Sequence, residues 1–153
     1  MSQQPVDVAL AILYQEGKFL MQLRDDKPGI LYPGLWGLFG GHLEADETPL
    51  EGLKREVLEE IEYRVVEPIA FDRYADTKVI RHIYHAPLTV SLDCLVLREG
   101  WDLALVPPEA IRQGRYFSEK ANEVRPLGDI HQQILLDFVI KNETFPDFLQ
   151  AEL

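Results

Sequence analysis

Residues 6–14, VDVALAILY, are almost wholly apolar and β-prone, the pattern of a strand buried on both faces. A second run, KFLMQLR at 18–24, follows the tripeptide QEG, and Gly17 between the two runs predicts a hairpin. The stretch DDKPGILYPGLWGLFGG then holds five glycines and two prolines. It predicts a long shaped loop leading to a short strand around Leu35–Phe39.

The best helix signal in the chain comes next. Thr48 suits an N-cap, Pro49 the first helical position, and Glu51 stands three residues after Thr48 to complete a capping box. Leu50, Leu53, Val57 and Ile61 recur at steps of three and four and form one apolar stripe. Gly52 inside this helix costs roughly 1 kcal/mol relative to alanine, which implies close packing there. Further strands are predicted at about Arg64–Phe71, Val79–Tyr84, Leu88–Leu97 and Leu103–Val106. PPEAIRQG predicts a short helix. GDIHQQILLDFVIK predicts a longer amphipathic one, with Ile130, Ile134, Leu135, Phe138 and Val139 on its apolar side. The tail NETFPDFLQAEL reads as less ordered. The succession β, β, helix, β, β, β, helix, helix makes an α/β protein, a mixed sheet flanked by helices.

Length and composition narrow this picture. A chain of 153 residues with 46% hydrophobic and 27% charged side chains suits one globular domain with one core. The formal net charge is -11, from 15 basic and 26 acidic residues. Such a surface repels phosphate backbones, so duplex nucleic acid and anionic membranes are excluded as bulk partners. A small anion stays admissible, because a divalent cation can reverse the field in one cleft. The single cysteine, Cys94, cannot form an internal disulfide; within LTVSLDCLVL it reads as a buried core thiol. The start MSQQPVDVAL lacks a basic stretch before a long apolar one. No segment approaches the roughly 20 apolar residues that span a bilayer. The expected location is cytoplasmic.

The candidate chemistry lies in the predicted helix. Glu56, Glu59 and Glu60 project to the same side of its axis, with Glu60 nearest the apolar stripe. Like charges at that spacing repel by a few tenths of a kcal/mol per pair. Three carboxylates facing a cleft make an oxygen cage for a hard cation such as Mg²⁺; the same run also suits a solvated helix face. The glycine-rich GLFGGH leads into the helix. Arg55, four residues after Glu51 and four before Glu59, can pair with both.

Taken in order, Gly41, HLEAD, Glu47, TPLEGLK, Arg55-Glu56, Val57, Leu58, Glu59-Glu60, Ile61, Glu62 and Tyr63 resemble the signature of the Nudix hydrolases. Every acidic and basic position matches across residues 41–63. The PG-W loop before this box, the strand pair and the C-terminal amphipathic helix are similar too. The resemblance implies one MutT-like domain over residues 1–153, folded as a Nudix α/β/α sandwich. It implies an enzyme that cleaves a diphosphate linkage by water attack at phosphorus. Mg²⁺, with Mn²⁺ as substitute, would be held by Glu56, Glu59 and Glu60 and by the carbonyl of Gly40 or Gly41. Glu47 and Arg55 would tie loop to helix. The general base would be Glu59 or Glu56, or an acid of a later loop. Glu99 stands first among those, with Asp102, Glu119 and Glu123 as the others.

On the substrate side, Arg24 and Lys27 are candidate phosphate or base contacts, and His42 could face a phosphate. Trp36 and Tyr32 could stack on a base. Phe39, where relatives commonly have proline, either packs as core or shapes the pocket. Glu62 replaces the glycine that ends the family's helix in a left-handed conformation. His82 and His85 read as surface or strand-end residues on opposite faces of a strand. The neighbourhood TKVIRH has no proline of the ADP-ribose hydrolase type, and Tyr84 stands too far beyond the box for the diadenosine polyphosphate type. The expected substrate is a small organic diphosphate, read as a nucleoside diphosphate derivative or a nucleoside or deoxynucleoside triphosphate. The alternative is a non-catalytic Nudix-like domain that binds nucleotide without cutting it. The apolar FPDFL segment is a candidate homodimer contact.

Overall fold

The computed structural model describes residues 4–30 and 33–142. Strand β1 (Val6–Gln15) turns through Glu16 and Gly17, both with positive φ (53° and 76°), into β2 (Lys18–Leu23). Positive φ at both turn residues is the type I′ hairpin geometry. The loop that follows reaches β3 (Trp36–Gly37), which pairs with β2, and β4 (Phe39–His42), which pairs antiparallel with β1. Helix α1 spans Pro49–Ile61. After it come β5 (Ile69–Ala75), β6 (Val79–Pro87), β7 (Asp102–Val106), α2 (Pro108–Gln113), β8 (Arg115–Ser118), β9 (Glu123–Pro126) and α3 (Asp129–Asn142). The main sheet runs β3-β2-β1-β6-β5, with β4 also on β1 and β7 on β2. Only the β1–β6 pairing in it is parallel, so the sheet is mixed.

Alternation along β1 feeds two cores. Leu10, Ile12 and Tyr14 pack with Phe19, Trp36, Ile134 and Phe138 beneath α3. Ala9, Ala11 and Leu13 pack with Phe39, Leu53, Val57 and Ile61 beneath α1. Both faces of this strand are therefore dry, which is why its sequence does not alternate with polar residues. Among the described residues no helix is long and apolar enough to cross a membrane.

Helix α1 begins as its sequence dictates. Thr48 Oγ1 accepts from Glu51 N at 3.2 Å, and the Glu51 carboxylate accepts from Thr48 N at 2.9 Å. Leu53, Val57 and Ile61 are buried, but Leu50 in the first turn is exposed. Gly52 is buried against Leu43 and Glu47. The helix ends at Glu62, which adopts the left-handed conformation (φ 54°, ψ 39°) and donates its N–H to Leu58. The carboxylate of Glu62 pairs with Arg98, and the left-handed helix end expected of a glycine is here taken up by a glutamate.

Several expected elements differ. Residues 88–97 form an irregular segment with a 3-10 turn at Leu92–Cys94. Its backbone donors serve the end of α1: Val96 N donates to Ile61 O at 3.2 Å and Arg98 N to Glu60 O at 2.9 Å. Carbonyls of a helix's last turn lack partners within the helix, and this segment supplies them. Cys94 is exposed there and is no core thiol. The strand expected from Arg64 begins at Ile69, after Glu67 (φ 46°) and Pro68, which has no N–H to give a ladder. The β8–β9 hairpin carries no hydrophobic alternation; only Ser118 of its strands is buried. His85, expected at the surface, is buried against Tyr14 and Phe138. Tyr32 and FPDFL lie outside the described residues.

Two substitutions in α1 separate local from tertiary effects. A left-handed residue with a Cβ costs about 1 kcal/mol relative to glycine, while an exposed ion pair is worth less. Glu62→Gly is expected to raise stability by about 0.5 kcal/mol in urea melts; a fall would show that the Arg98 pair dominates. At Gly52, alanine would gain about 1 kcal/mol of helix propensity. Its Cβ would collide with Leu43 Cδ2 and lie 2.9 Å from Glu47 Oε1. Overpacking of that kind costs about 1–3 kcal/mol, so Gly52→Ala is expected to destabilise by roughly 1 kcal/mol.

Candidate active site

The loop between β4 and α1 and the exposed side of α1 are joined by Arg55. Its Nε and Nη2 donate to the two oxygens of Glu47 at 2.7 and 2.9 Å, a bidentate pair. Nη2 also donates to the carbonyl of His42 at 3.1 Å. Nη1 donates to Glu56 at 2.9 Å and to Glu59 at 3.3 Å. The expected pairing with Glu51 is absent, because Glu51 reaches back to cap Thr48. Bonding to Arg55 holds the Glu47 carboxyl down at about 2, and the same contacts raise Arg55.

The three glutamates sit in different environments. Glu59 is 60% exposed and Glu56 20%. Glu60 faces inward, where it accepts from Gly40 N at 2.9 Å and Gln22 Nε2 at 3.2 Å. Burial is the main cause that pushes its pKa up to about 7, and the neighbouring Glu56 charge adds to the rise. Glu56 reaches across β4 at Gly41, where a Cβ would stand 2.7 Å from its carboxyl carbon. Among the described residues no three carboxylate, histidine or cysteine side chains converge closely enough to enclose an ion. Arg55 lies between Glu56 and Glu59 in this arrangement. The donors are nonetheless all hard oxygens, which suits Mg²⁺ or Mn²⁺, and a partly desolvated carboxylate beside a second one is what a cation relieves.

Glu56, Gly40, Gly41 and His42 form one end of a cleft of about 400 Å³ on the α3 face of the sheet. Its floor is Val8 and Leu10. Arg24, Arg81 and His131 supply its other polar side chains. Arg24 Nε is buried and finds no hydrogen-bond partner among the described residues. His131 Nδ1 accepts from Leu38 N at 3.0 Å, which leaves the proton of the neutral ring on Nε2. Burial, aided by Arg81 and Arg24, lowers the His131 pKa to about 4.

The sequence-based candidates divide accordingly. Arg24 and His42 line the cleft with Glu56 and Gly40. Trp36 borders it but is fully buried; its Nε1 donates to Tyr116 O at 3.0 Å, so its faces are core and offer no base a stacking surface. Phe39 points to the opposite side of the sheet and packs under α1. Lys27 is exposed and 3.8 Å from Asp25. Glu99 stands on an exposed loop and does not line the cleft. Asp102 is buried and accepts from Ser118 Oγ at 2.7 Å, a structural contact. Glu119 and Glu123 are exposed on the β8–β9 hairpin. Arg81 and His131 were not anticipated. The one available signal for Arg81 is a charged residue at an inward position of VIRHIYH.

The neutrality of His131 has a pH signature. Its pKa is about 4 in the fold against an ordinary 6.5, so between these values the unfolded chain binds a proton that the native state does not. Stability therefore falls as pH drops from 6.5 towards 4. Urea melts at pH 7 and 4.5 are expected to show roughly 2–3 kcal/mol more loss for the wild type than for His131→Gln. Equal losses would remove His131 as the source.

A family model for the NUDIX domain matches residues 4–135. The nucleoside triphosphatase NudI of Enterobacter sp. (strain 638) is 32% identical over 118 residues, which is 68% of this chain and 83% of that protein. The crystal structure of a MutT protein from Methanosarcina mazei Go1 superposes with a TM-score of 0.69 at 22% identity, over 94% of this chain and 99% of that one. The NUDIX domain of NrtR from Shewanella oneidensis, crystallised with ADP ribose, gives a TM-score of 0.69 at 17% identity, over 91% and 89%. These two likenesses bear on the fold alone. Sequence match and motif geometry together establish that the chain belongs to the Nudix family of hydrolases.

Proposed function

We propose that this protein is a Mg²⁺-dependent pyrophosphohydrolase that cleaves the diphosphate linkage of a nucleoside triphosphate or a nucleoside diphosphate derivative. The observation that carries the reading is the cleft itself. At one end Glu56 crosses Gly41, and the half-buried Glu60 behind it accepts from Gly40 N. Arg24 lines the same space, and its buried Nε finds no hydrogen-bond partner among the described residues. The likeness to a nucleoside triphosphatase supports the nucleotide class.

Family members use divalent cations, and the residues to hold one here are Glu56, Glu59, Glu60 and the carbonyl of Gly40. When bound, the cation neutralises phosphate oxygens and lowers the pKa of attacking water. The chain's own groups do the rest. Arg55 fixes the Glu56 and Glu59 carboxylates relative to the loop through Glu47 and the His42 carbonyl. Arg24 can donate to a phosphate oxygen and has no acceptor role. Glu59, the most exposed of the three, is the first candidate to take up a proton from water, and Glu56 is the second.

Phosphate release should be measured over a panel of nucleoside triphosphates, dinucleotides and nucleotide sugars with coupling enzymes. Turnover of one class is expected with Mg²⁺ or Mn²⁺, and none with EDTA. Glu59→Gln should lower kcat by about 100-fold or more, since a cation's contribution is several kcal/mol, with an unchanged circular dichroism spectrum. Full activity in that variant would sink the assignment. Tight nucleotide binding without turnover of any compound would favour a binding domain instead.

A further inference from the structure

Arg81 is the cleft residue that the proposed reaction leaves unused. It stands on β6 opposite Val8 of β1, on the same face as Ile83, and only 9% of it is exposed. Its Nη1 donates to Asp76 Oδ2 at 3.1 Å. Asp76 is itself anchored in the β5–β6 turn, where Oδ1 accepts from Lys78 N at 2.8 Å and Val79 N at 2.9 Å. The arginine is thus held from behind by a fixed carboxylate while it lines the cleft beside Val8 and Val79.

The sheet sets the distance between this group and the glutamates. His42, Val8 and Arg81 are register partners across β4, β1 and β6. Adjacent strands lie about 4.8 Å apart, so the β6 backbone is roughly 10 Å from β4, where Gly40 and Gly41 sit and Glu56 of α1 crosses. A nucleotide with its phosphates at the β4 end would lay its base on Val8 and Leu10 and turn the base's edge to Arg81. Neither Arg81 nor Arg24 can accept a hydrogen bond. Among the described residues, the two arginines of the cleft therefore offer only donors to a base edge. A carbonyl oxygen takes two such donors on its two lone pairs, whereas each ring nitrogen of adenine takes one and the amino group beside it meets a second donor, which leaves a buried group unpaired.

We infer that Arg81, braced by Asp76, is a specificity-determining residue that reads a carbonyl-bearing nucleobase (cytosine, guanine, uracil or thymine) and disfavours adenine. The inference rests on the reading that this cleft takes a nucleoside phosphate.

The test measures binding and turnover separately. Calorimetry with CMP, GMP, UMP and AMP in Mg²⁺ is expected to show AMP about tenfold or more weaker than the best of the others. Arg81→Met is expected to shrink that gap to roughly threefold or less, mainly through KM in the corresponding triphosphate assays. A merely structural Arg81 would instead weaken all four nucleotides alike. Asp76→Asn serves as the second variant should Arg81→Met not fold, with a smaller narrowing of the same gap. A wild type that binds AMP as well as the others overturns the inference without any variant, as does a gap that survives in Arg81→Met. A base preference in binding without hydrolysis of any triphosphate would leave the inference standing and defeat the hydrolase reading. No binding of any of the four nucleotides would defeat the inference, while the hydrolase reading would survive if a non-nucleotide diphosphate were cut.

Discussion

One guanidinium holds the acidic face of this molecule together. Arg55 bonds Glu47 from the loop, the carbonyl of His42 at the end of β4, and Glu56 and Glu59 from its own helix. Without a cation among them these carboxylates repel, and Arg55 is a cation that bonds three of them at once. The close approach of helix to strand also needs the glycines: Gly52 admits Leu43 and Glu47, and Gly41 admits Glu56. Charge pairing and the absence of two Cβ atoms are thus one device. They bring a helix carboxylate over the edge of a sheet strand and into a cleft on its other side.

The cleft resolves the apparent conflict between a chain of net charge -11 and an anionic substrate. Acidic groups collect at the β4 end, where a divalent cation would sit. The basic side chains Arg24 and Arg81 collect over the floor of the sheet, away from the bulk surface. Overall charge describes the protein's long-range field, which salt screens within about 8–10 Å. A partly enclosed cleft is governed by the few groups that line it.

Those groups are held by contacts that cross the fold. His131 on α3 takes the Leu38 amide. Arg125 on β9 donates to Gly34 O at 2.9 Å and so ties the long loop to the β8–β9 hairpin. Trp36 donates to Tyr116 O across the same junction. The hairpin with so little sequence signal is therefore what secures one wall of the cleft. Its strands are short and mostly exposed, so no hydrophobic period marks them.

What the sequence alone determined was local. The β1–β2 hairpin, the capped start of α1, the apolar faces of α1 and α3 and the spacing of Glu47, Arg55, Glu56, Glu59 and Glu60 all follow from turn chemistry, capping and periodicity within a few residues. What the tertiary structure decided was everything that depends on two distant segments meeting. The apolar run 88–97 became a loop because the end of α1 offered its carbonyls. Phe39 and Trp36 became core because strand register assigns each side chain to a face, and Cys94 became exposed because its run forms that loop. Arg81 and His131 reached the cleft because β6 lies parallel to β1 and α3 covers that face. Periodicity encodes which side of an element is apolar, but not which element will stand opposite it.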